Sequence, residues 1–382
     1  MASVRVGESQ RAVARRFGVS LYGVQFWLRR AGDRRLDRVD WADRRSGPRR
    51  SPTRTGSKLE ARVVDVRRRL RDESVLGEYG AAAIQRELQR QEVNPIPCVR
   101  TIHRILTRHG AVSGRERVRH PAPPRGWYLP AVAHAKAELD QFDLVEGLVI
   151  QDGPQVEILN AISLHGGLAG SWPRAGMTAR KACEALIRHW RRFGLPSYAQ
   201  FDNDTVFQGP HQHPDAVGTV IRLCLSLGVT PVFAPPRETG FQAAIESFNA
   251  RWQAKVWRRF RFESLKALQS QATRYATAHC RRNASRRDAA PDRRRFHVGP
   301  LGSPAALRGK IIFLRRTTEK GTVVLLGRPF QVVSHWVHRL VRCEVELNHG
   351  VIRFYALRRR NPQQQPLLRE APYQLPARPF RG

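Results

Sequence analysis

The chain has 382 residues, 41% of them hydrophobic, with 67 basic residues against 32 acidic ones and a formal net charge of +35. That length allows roughly two to four domains with real cores, and a charge carried mostly by arginine points to a polyanion, nucleic acid above all, as partner. No apolar run approaches membrane-spanning length, the first ten residues do not read as a signal peptide, and five scattered cysteines without a CxxC pair or an even framework fit a reducing cytosol.

Residues 9–30, "SQRAVARRFGVSLYGVQFWLRR", predict two short helices joined at "FGVS". Gly18 supplies a left-handed turn residue and Ser20 an N-cap, while Ala14 is small where two helices cross. Val24 and Trp27 face inward. This is the pattern of a helix-turn-helix over residues 1–32, shared with an ordinary helical hairpin, and it would present Tyr22, Gln25 and Arg29 to a DNA groove. Residues 33–58 are an arginine-rich linker, with Arg49 and Arg50 as phosphate contacts. Three helices follow in 59–112, the third reading "VRTIHRILTRHG" and offering Arg100, His103 and Arg104 outward, as a second helix-turn-helix or winged-helix-like unit. A basic, proline-rich linker spans 113–135.

From 136 to 282 the pattern changes. "LDQFDLVEGLVI", "VEILNAISL" and "LAGSW" are strand-like; "TARKACEALIRHWRRFG" is an amphipathic helix; "SYAQFD" is a strand ending on a carboxylate; a helix, the strand "VTPVFA" and the helix containing "GFQAAIESFNARWQAKV" follow. Strands that hairpin first and alternate with helices later predict an α/β domain with a mixed sheet. A basic linker over 283–308, short strands over 309–360 forming a small β-barrel, and a flexible tail over 361–382 complete the organisation. The two histidines of "HQH" at 211–213 read as part of a polar loop rather than as a metal-ligand pair, because nothing else joins them.

Three carboxylates stand out. Asp143 lies on the first strand, Asp202 ends a later one, and Glu246 sits beside the Ile245/Phe248/Trp252 stripe of a helix. Should that stripe pack on the sheet, Glu246 reaches the rim near both aspartates. Carboxylates so gathered repel each other and an incoming phosphate unless Mg²⁺ or Mn²⁺ joins them; two such ions can activate an attacking oxygen and stabilise a leaving one.

The segments "DQFD", "GLPSYAQFDNDTVF" and "QAAIESFN" resemble the three acidic motifs of the DDE catalytic core shared by retroviral integrases and many bacterial insertion-sequence transposases. The resemblance implies a ribonuclease-H-like core with Asp143, Asp202 and Glu246 as catalytic metal ligands and two divalent ions. It implies a polynucleotidyl transferase that cuts the ends of a mobile element and joins the freed 3′-hydroxyl to target DNA. Double-stranded DNA, both terminal inverted repeats and target, would be the partner, and a homo-multimer the working form. Arg251 and Lys255 would touch DNA near Glu246. The chain departs from the family pattern at Asp204, Ala243 and Gln253, and "QGPHQHPDAV" lengthens the gap between the second and third acids. Asp140 shares a strand with Asp143, and on a regular strand the two face opposite ways, so only one can be the first ligand. The alternative to a working enzyme is a decayed transposase acting as a DNA-binding regulator.

Overall fold

A computed structural model describes residues 1–42, 55–112, 124–151, 153–210, 213–297 and 307–376. Arg49 and Arg50, and two residues of "HQH", lie outside them. The chain divides into two compact units, Met1–Glu60 and Ala61–Gly382.

In the first unit, α1 (Ala2–Arg5), α2 (Gln10–Arg16) and α3 (Leu21–Ala31) enclose Val13, Ala14 and Val24. Ser9 and Ser20 cap α2 and α3 by accepting from the Ala12 and Gly23 N–H groups, and Gly18 takes a φ of +65° in the turn. Cap, turn glycine and small crossing residue fall where the sequence places them.

The division falls within α4 (Ser57–Glu73), and in the second unit the stripes of α4, α5 (Ala81–Arg90) and α6 (Val99–Arg108) meet at Val63, Val66, Ile84, Leu88, Ile102, Ile105 and Leu106. This bundle is tied to the rest of the unit. Arg282 Nε donates to both Glu78 oxygens at 3.0 and 2.9 Å, and Arg259 donates to the Ser74 and Asp72 carbonyls.

After α7 (Pro130–Ala133) come β1 (Leu139–Val149), β2 (Gln155–Ser163), β3 (Ala169–Arg174), α8 (Ala179–Phe193), β4 (Tyr198–Phe201), α9 (Thr205–Gln208), α10 (Thr219–Ser226), β5 (Thr230–Phe233), α11 (Ala243–Trp252), a π-helical turn (Gln253–Trp257), α12 (Leu265–Arg282) and α13 (Ala284–Asp288). The strands β6 (Lys310–Arg316), β7 (Thr322–Leu325), β8 (Arg328–Gln331), β9 (Leu340–Glu346), β10 (Val351–Ala356) and β11 (Leu367–Pro372) end the chain. The main sheet runs β11-β10-β9-β6-β5-β4-β1-β2-β3. Within it β2 and β3 are antiparallel, whereas β4 and β5 run parallel to β1, the mixed sheet the sequence predicts.

Both faces are covered. On one, α8, α9 and α10 pack Leu186, Trp190, Phe207 and Ile221 against Phe142, Phe201 and Phe233. On the other, α11 and α12 lay Ile245, Phe248, Trp252, Leu268 and Tyr275 over Val145, Ile158 and Ile162. Ile245, Phe248 and Trp252 are fully buried, each contributing roughly 1.5–3 kcal/mol of transfer free energy. That stripe fixes the rotation of α11 and hence the direction of every other side chain on it.

Four boundaries change. The linker drawn to residue 135 ends earlier, because Trp127, Tyr128, Leu129 and Val132 are buried among Leu139, Val232 and Phe241; aromatic burial outweighs the local proline and arginine content. The basic linker from 283 is docked through residue 297: Arg293 reaches Asp140, and Leu195 and Arg294 exchange backbone hydrogen bonds. The C-terminal strands do not form a separate barrel. β6 pairs in parallel with β5 (Val232↔Ile312, Phe233↔Phe313) and carries β9, β10 and β11 onto the same sheet, leaving β7–β8 as a side hairpin. The open edge of β5 is thereby paired. The tail, expected to be flexible, contains β11, which pairs with β10.

The inserted loop after α9 also has a role in packing. Gly209 and Gly218 approach so closely that a Cβ on Gly218 would lie 2.7 Å from the Gln208 carbonyl oxygen. Between them Asp215 is buried, accepting from Arg328 Nε at 2.7 Å and the Tyr373 hydroxyl at 2.9 Å. The loop thus joins the core to the C-terminal strands.

Candidate active site

Asp143 stands in the middle of β1, directly opposite Asn160 of β2. The parallel register Gln141↔Gln200, carried two residues further, sets Asp202 alongside Asp143, just past the end of β4. Strand ends in such sheets leave room for ligands because the chain must turn away there. Asp202 accepts the Asp204 N–H at 3.1 Å, and Asp204 caps α9 by accepting the Val206 N–H at 2.7 Å. Asp204 is therefore a turn and cap residue.

Glu246 is exposed in the first turn of α11. With Asp143, Glu146, Asn249, Gln253 and Arg258 it lines an open cleft of about 450 Å³. Asn249 joins helix to sheet: its Nδ2 donates to Asp143 Oδ2 at 2.7 Å, while its Oδ1 accepts from Asn160 Nδ2 at 2.8 Å. One oxygen of Asp143 is thus fixed by an amide that is itself fixed by the residue across the ladder.

The electrostatics of the cleft are acidic within a basic chain. Burial first, then the charge of Asp202, and less strongly that of Glu246, push the Asp143 carboxyl up to about 7, against hydrogen bonds from the Leu144 N–H and Asn249. Asp202 is also raised, by burial and then by the charges of Asp204 and Glu146. Asp143 feels the charges of both Asp202 and Glu246, but the three acids are not gathered at ligand distance. Among the described residues, no three His, Cys, Asp or Glu side chains stand close enough to hold a metal ion. The donor set of Asp143 and Asp202 does suit a hard divalent cation: it offers oxygen only, and a cation would offset the burial and the repulsion that raise the Asp143 carboxyl. Mg²⁺ in particular takes one or two carboxylates and completes its shell with waters and substrate phosphates.

Asp140 has a different environment. Fully buried, it accepts a two-pronged pair of bonds from Arg293 at 2.9 and 2.7 Å and a third from Trp190 Nε1 at 3.1 Å. Burial raises its pKa, but Arg293, with help from His189 and Trp190, holds it below the ordinary aspartate value. It lies on the α8 face, away from the cleft, which leaves Asp143 as the β1 aspartate in the acidic group.

The other sequence-predicted residues divide. Tyr22, Gln25 and Arg29 are all exposed on α3, and Arg100, His103 and Arg104 are all exposed on α6, opposite the buried Ile102, Ile105 and Leu106. Arg251 is exposed but lines a second cavity rather than the carboxylate cleft. Lys255 is partly buried, its Nζ 5.4 Å from the Tyr79 ring centroid. It packs against the α4–α5 connection and is not presented to the cleft.

Three cleft residues escape a sequence reading. Asn249 was visible only as the last letter of "QAAIESFN". Glu146 lines the cleft beside a β-bulge between Val145 and Leu148, where Gly147 takes a φ of +72°; the extra residue re-aims the strand. Arg258 follows the π-helical turn, its N–H bonding the Gln253 carbonyl five residues back. Glycine at 147 was the one available signal for the bulge, and the π turn had none.

No family model matches the chain, and no curated protein matches it. Among solved structures it is similar to the catalytic core domain of BIV integrase, at 20% identity over 35% of this chain and 79% of that one, with a TM-score of 0.25. It is also similar to a simian T-cell lymphotropic virus intasome in complex with PP2A regulatory subunit B56 gamma, at 13% identity over 72% of this chain and 88% of that one, with a TM-score of 0.31.

Proposed function

We propose that the chain is a DNA transposase of the insertion-sequence type, cutting element ends and transferring the 3′-hydroxyl to target DNA. The observation that carries this reading is the meeting of Asp143 and Asp202 on adjacent parallel strands beside the helix bearing Glu246, in a chain of net charge +35. The strands β1–β5 with their flanking helices suit a ribonuclease-H-like core, and the three acidic motifs resemble those of DDE enzymes. Asp143 and Asp202 would hold Mg²⁺ or Mn²⁺, which when bound supplies Lewis-acid stabilisation to a reacting phosphate. Asn249 would orient Asp143. Glu246, which lines the same cleft as Asp143, would close on the site when DNA enters it. Arg258 would neutralise charge on a phosphate in the cleft. The exposed faces of α3 and α6 would read the element's terminal repeats, with arginine contacts to the backbone making binding steeply salt-dependent.

The second reading is a DNA-binding regulator derived from a transposase and without chemistry. A strand-transfer assay decides between them, using DNA that flanks the gene, labelled ends, a plasmid target and Mg²⁺ or Mn²⁺. Joining by wild type and not by Glu246→Gln supports the transposase; specific end binding by both, with no joining by either, supports the regulator.

A further inference from the structure

A second cavity, of about 540 Å³, lies on the other flank of α11. Ala243, Ser247 and Arg251 of α11 line it, whereas Glu246, Asn249, Ala250 and Gln253 of the same helix line the carboxylate cleft. One helix therefore separates an acidic cleft from a chamber of opposite character. Five arginines, Arg125, Arg251, Arg282, Arg286 and Arg359, converge on this chamber, with Glu78 as the single carboxylate in its lining.

Local packing does not account for that convergence. Arg125 and Arg286 each donate to the Leu164 carbonyl, Arg251 to the Ser247 carbonyl of its own helix, and Arg282 to Glu78. Each guanidinium has five donors in a fixed fork, so most of the donors that the five arginines bring remain for a ligand. The Arg359 guanidinium is held close over Gly240, where a Cβ would meet Nη2 at 3.1 Å.

We propose that this chamber is a phosphate-binding site, distinct from the carboxylate cleft and built to receive a phosphodiester or other phosphoryl anion on several guanidinium forks. The volume lies in the range of ligand pockets, roughly 300–1,000 Å³. Arginine forks match phosphate bidentately. The arginines also oppose one another: burial lowers the pKa of Arg286, and the charges of Arg125, Arg282 and Arg251 lower it further while Glu138 opposes them. Burial and then Arg251 hold the adjacent His279 down to about 4, so the histidine adds no charge near neutrality. An anion is the partner that removes this repulsion. The site stands whether or not the cleft is catalytic. If it is, a strand crossing α11 sets one phosphate at Asp143 and Asp202 and another among the arginines.

Isothermal titration calorimetry of the full chain with sodium pyrophosphate, in chloride buffer, tests the site. Wild type is expected to bind saturably, and Arg125→Gln/Arg251→Gln to bind at least about tenfold more weakly. A control pair on remote surface, Arg180→Gln/Lys320→Gln, removes the same charge and is expected to change affinity less than about twofold. Arg251→Gln alone, which removes only a bond within α11, serves if the double variant is misfolded by circular dichroism. Equal weakening by the cavity and control pairs, or no saturable binding by wild type, overturns the proposal. A ten-nucleotide oligothymidylate that displaces pyrophosphate identifies the ligand as a strand phosphate; pyrophosphate binding that the oligonucleotide leaves intact identifies a free phosphoryl anion. Asp143→Asn is expected to keep pyrophosphate affinity while losing strand transfer. Pyrophosphate binding by a wild type that joins no DNA would sink the transposase reading alone.

Discussion

Asp140 and Asp143 sit three residues apart on one strand and behave in opposite ways. Asp140 is the more deeply buried, yet Arg293 keeps it ionised. Asp143 keeps some contact with solvent, yet burial and then the charge of Asp202 push its carboxyl up to about 7, and the Asn249 amide that bonds it offsets this less than the Arg293 guanidinium offsets the burial of Asp140. The comparison teaches that on this sheet the partner across the gap, more than the depth of burial, decides which aspartate is structural and which is left with unmet demand for a cation.

The largest expected effect separates the two faces directly. Asp143→Asn is expected to lower strand transfer by about 10³-fold or more with the fold intact, by the scale of removing one charge-stabilising group from an active site. Asp140→Asn is expected to act through folding instead, so that activity per folded molecule is retained. Transfer assays normalised by circular dichroism check both, and equal loss of specific activity in the two would break the comparison.

Next is the pair itself. Arg293→Ala strands a fully buried carboxylate and is expected to destabilise the second unit by about 3–5 kcal/mol, read from urea midpoints. A change under 1 kcal/mol, an order-of-magnitude threshold set by exposed pairs, would mean that water replaces the guanidinium.

Asp143 should also reveal itself in the pH dependence of stability. Its folded pKa of about 7 lies above the ordinary 3.8, so between those values the native state binds more protons than the unfolded chain. Its contribution is full below the lower value and is lost as pH rises through the upper one. Asp143→Asn is therefore expected to be more stable than wild type by about 2 kcal/mol at pH 8, allowing for the carboxyl's solvent contact, with the gap closing toward pH 4. Mg²⁺ should raise the wild-type Tm at pH 8 and leave the variant unmoved. Thermal melts across pH with and without Mg²⁺ give the answer, and parallel profiles would refute the raised pKa. Asp202→Asn should move the wild-type profile toward acid, since it removes the leading charge acting on Asp143.

The smallest effect is at Asn249. Asn249→Ala removes one bond to Asp143 and one to Asn160, and about tenfold lower transfer is expected, in keeping with outer partners that orient a ligand. As a positioning residue it should shift the pH–rate profile toward alkaline, because a bond favouring the charged carboxylate is lost; a structural role alone would lower stability without that shift.

Much was legible in the sequence. The helices of the first unit follow from caps and a glycine, and the core strands and helices from their periodicities, because these depend on residues within a few positions of one another. The stripe Ile245/Phe248/Trp252 sufficed to predict which side of α11 meets the sheet. The opposite facing of Asp140 and Asp143 followed from the period of a strand. Tertiary structure decided the rest. Whether β6 closes a barrel or extends the sheet depends on the free edge of β5, about eighty positions away in the chain. That the 283–297 segment docks depends on a buried Asp140 requiring a cation. The arginine chamber draws Arg125, Arg251, Arg282, Arg286 and Arg359 from segments no local pattern connects. Charge composition named a polyanion as partner, but pairing, register and the convergence of distant side chains decided where opposite charges face each other, since electrostatic energy depends on separation in space and not along the chain.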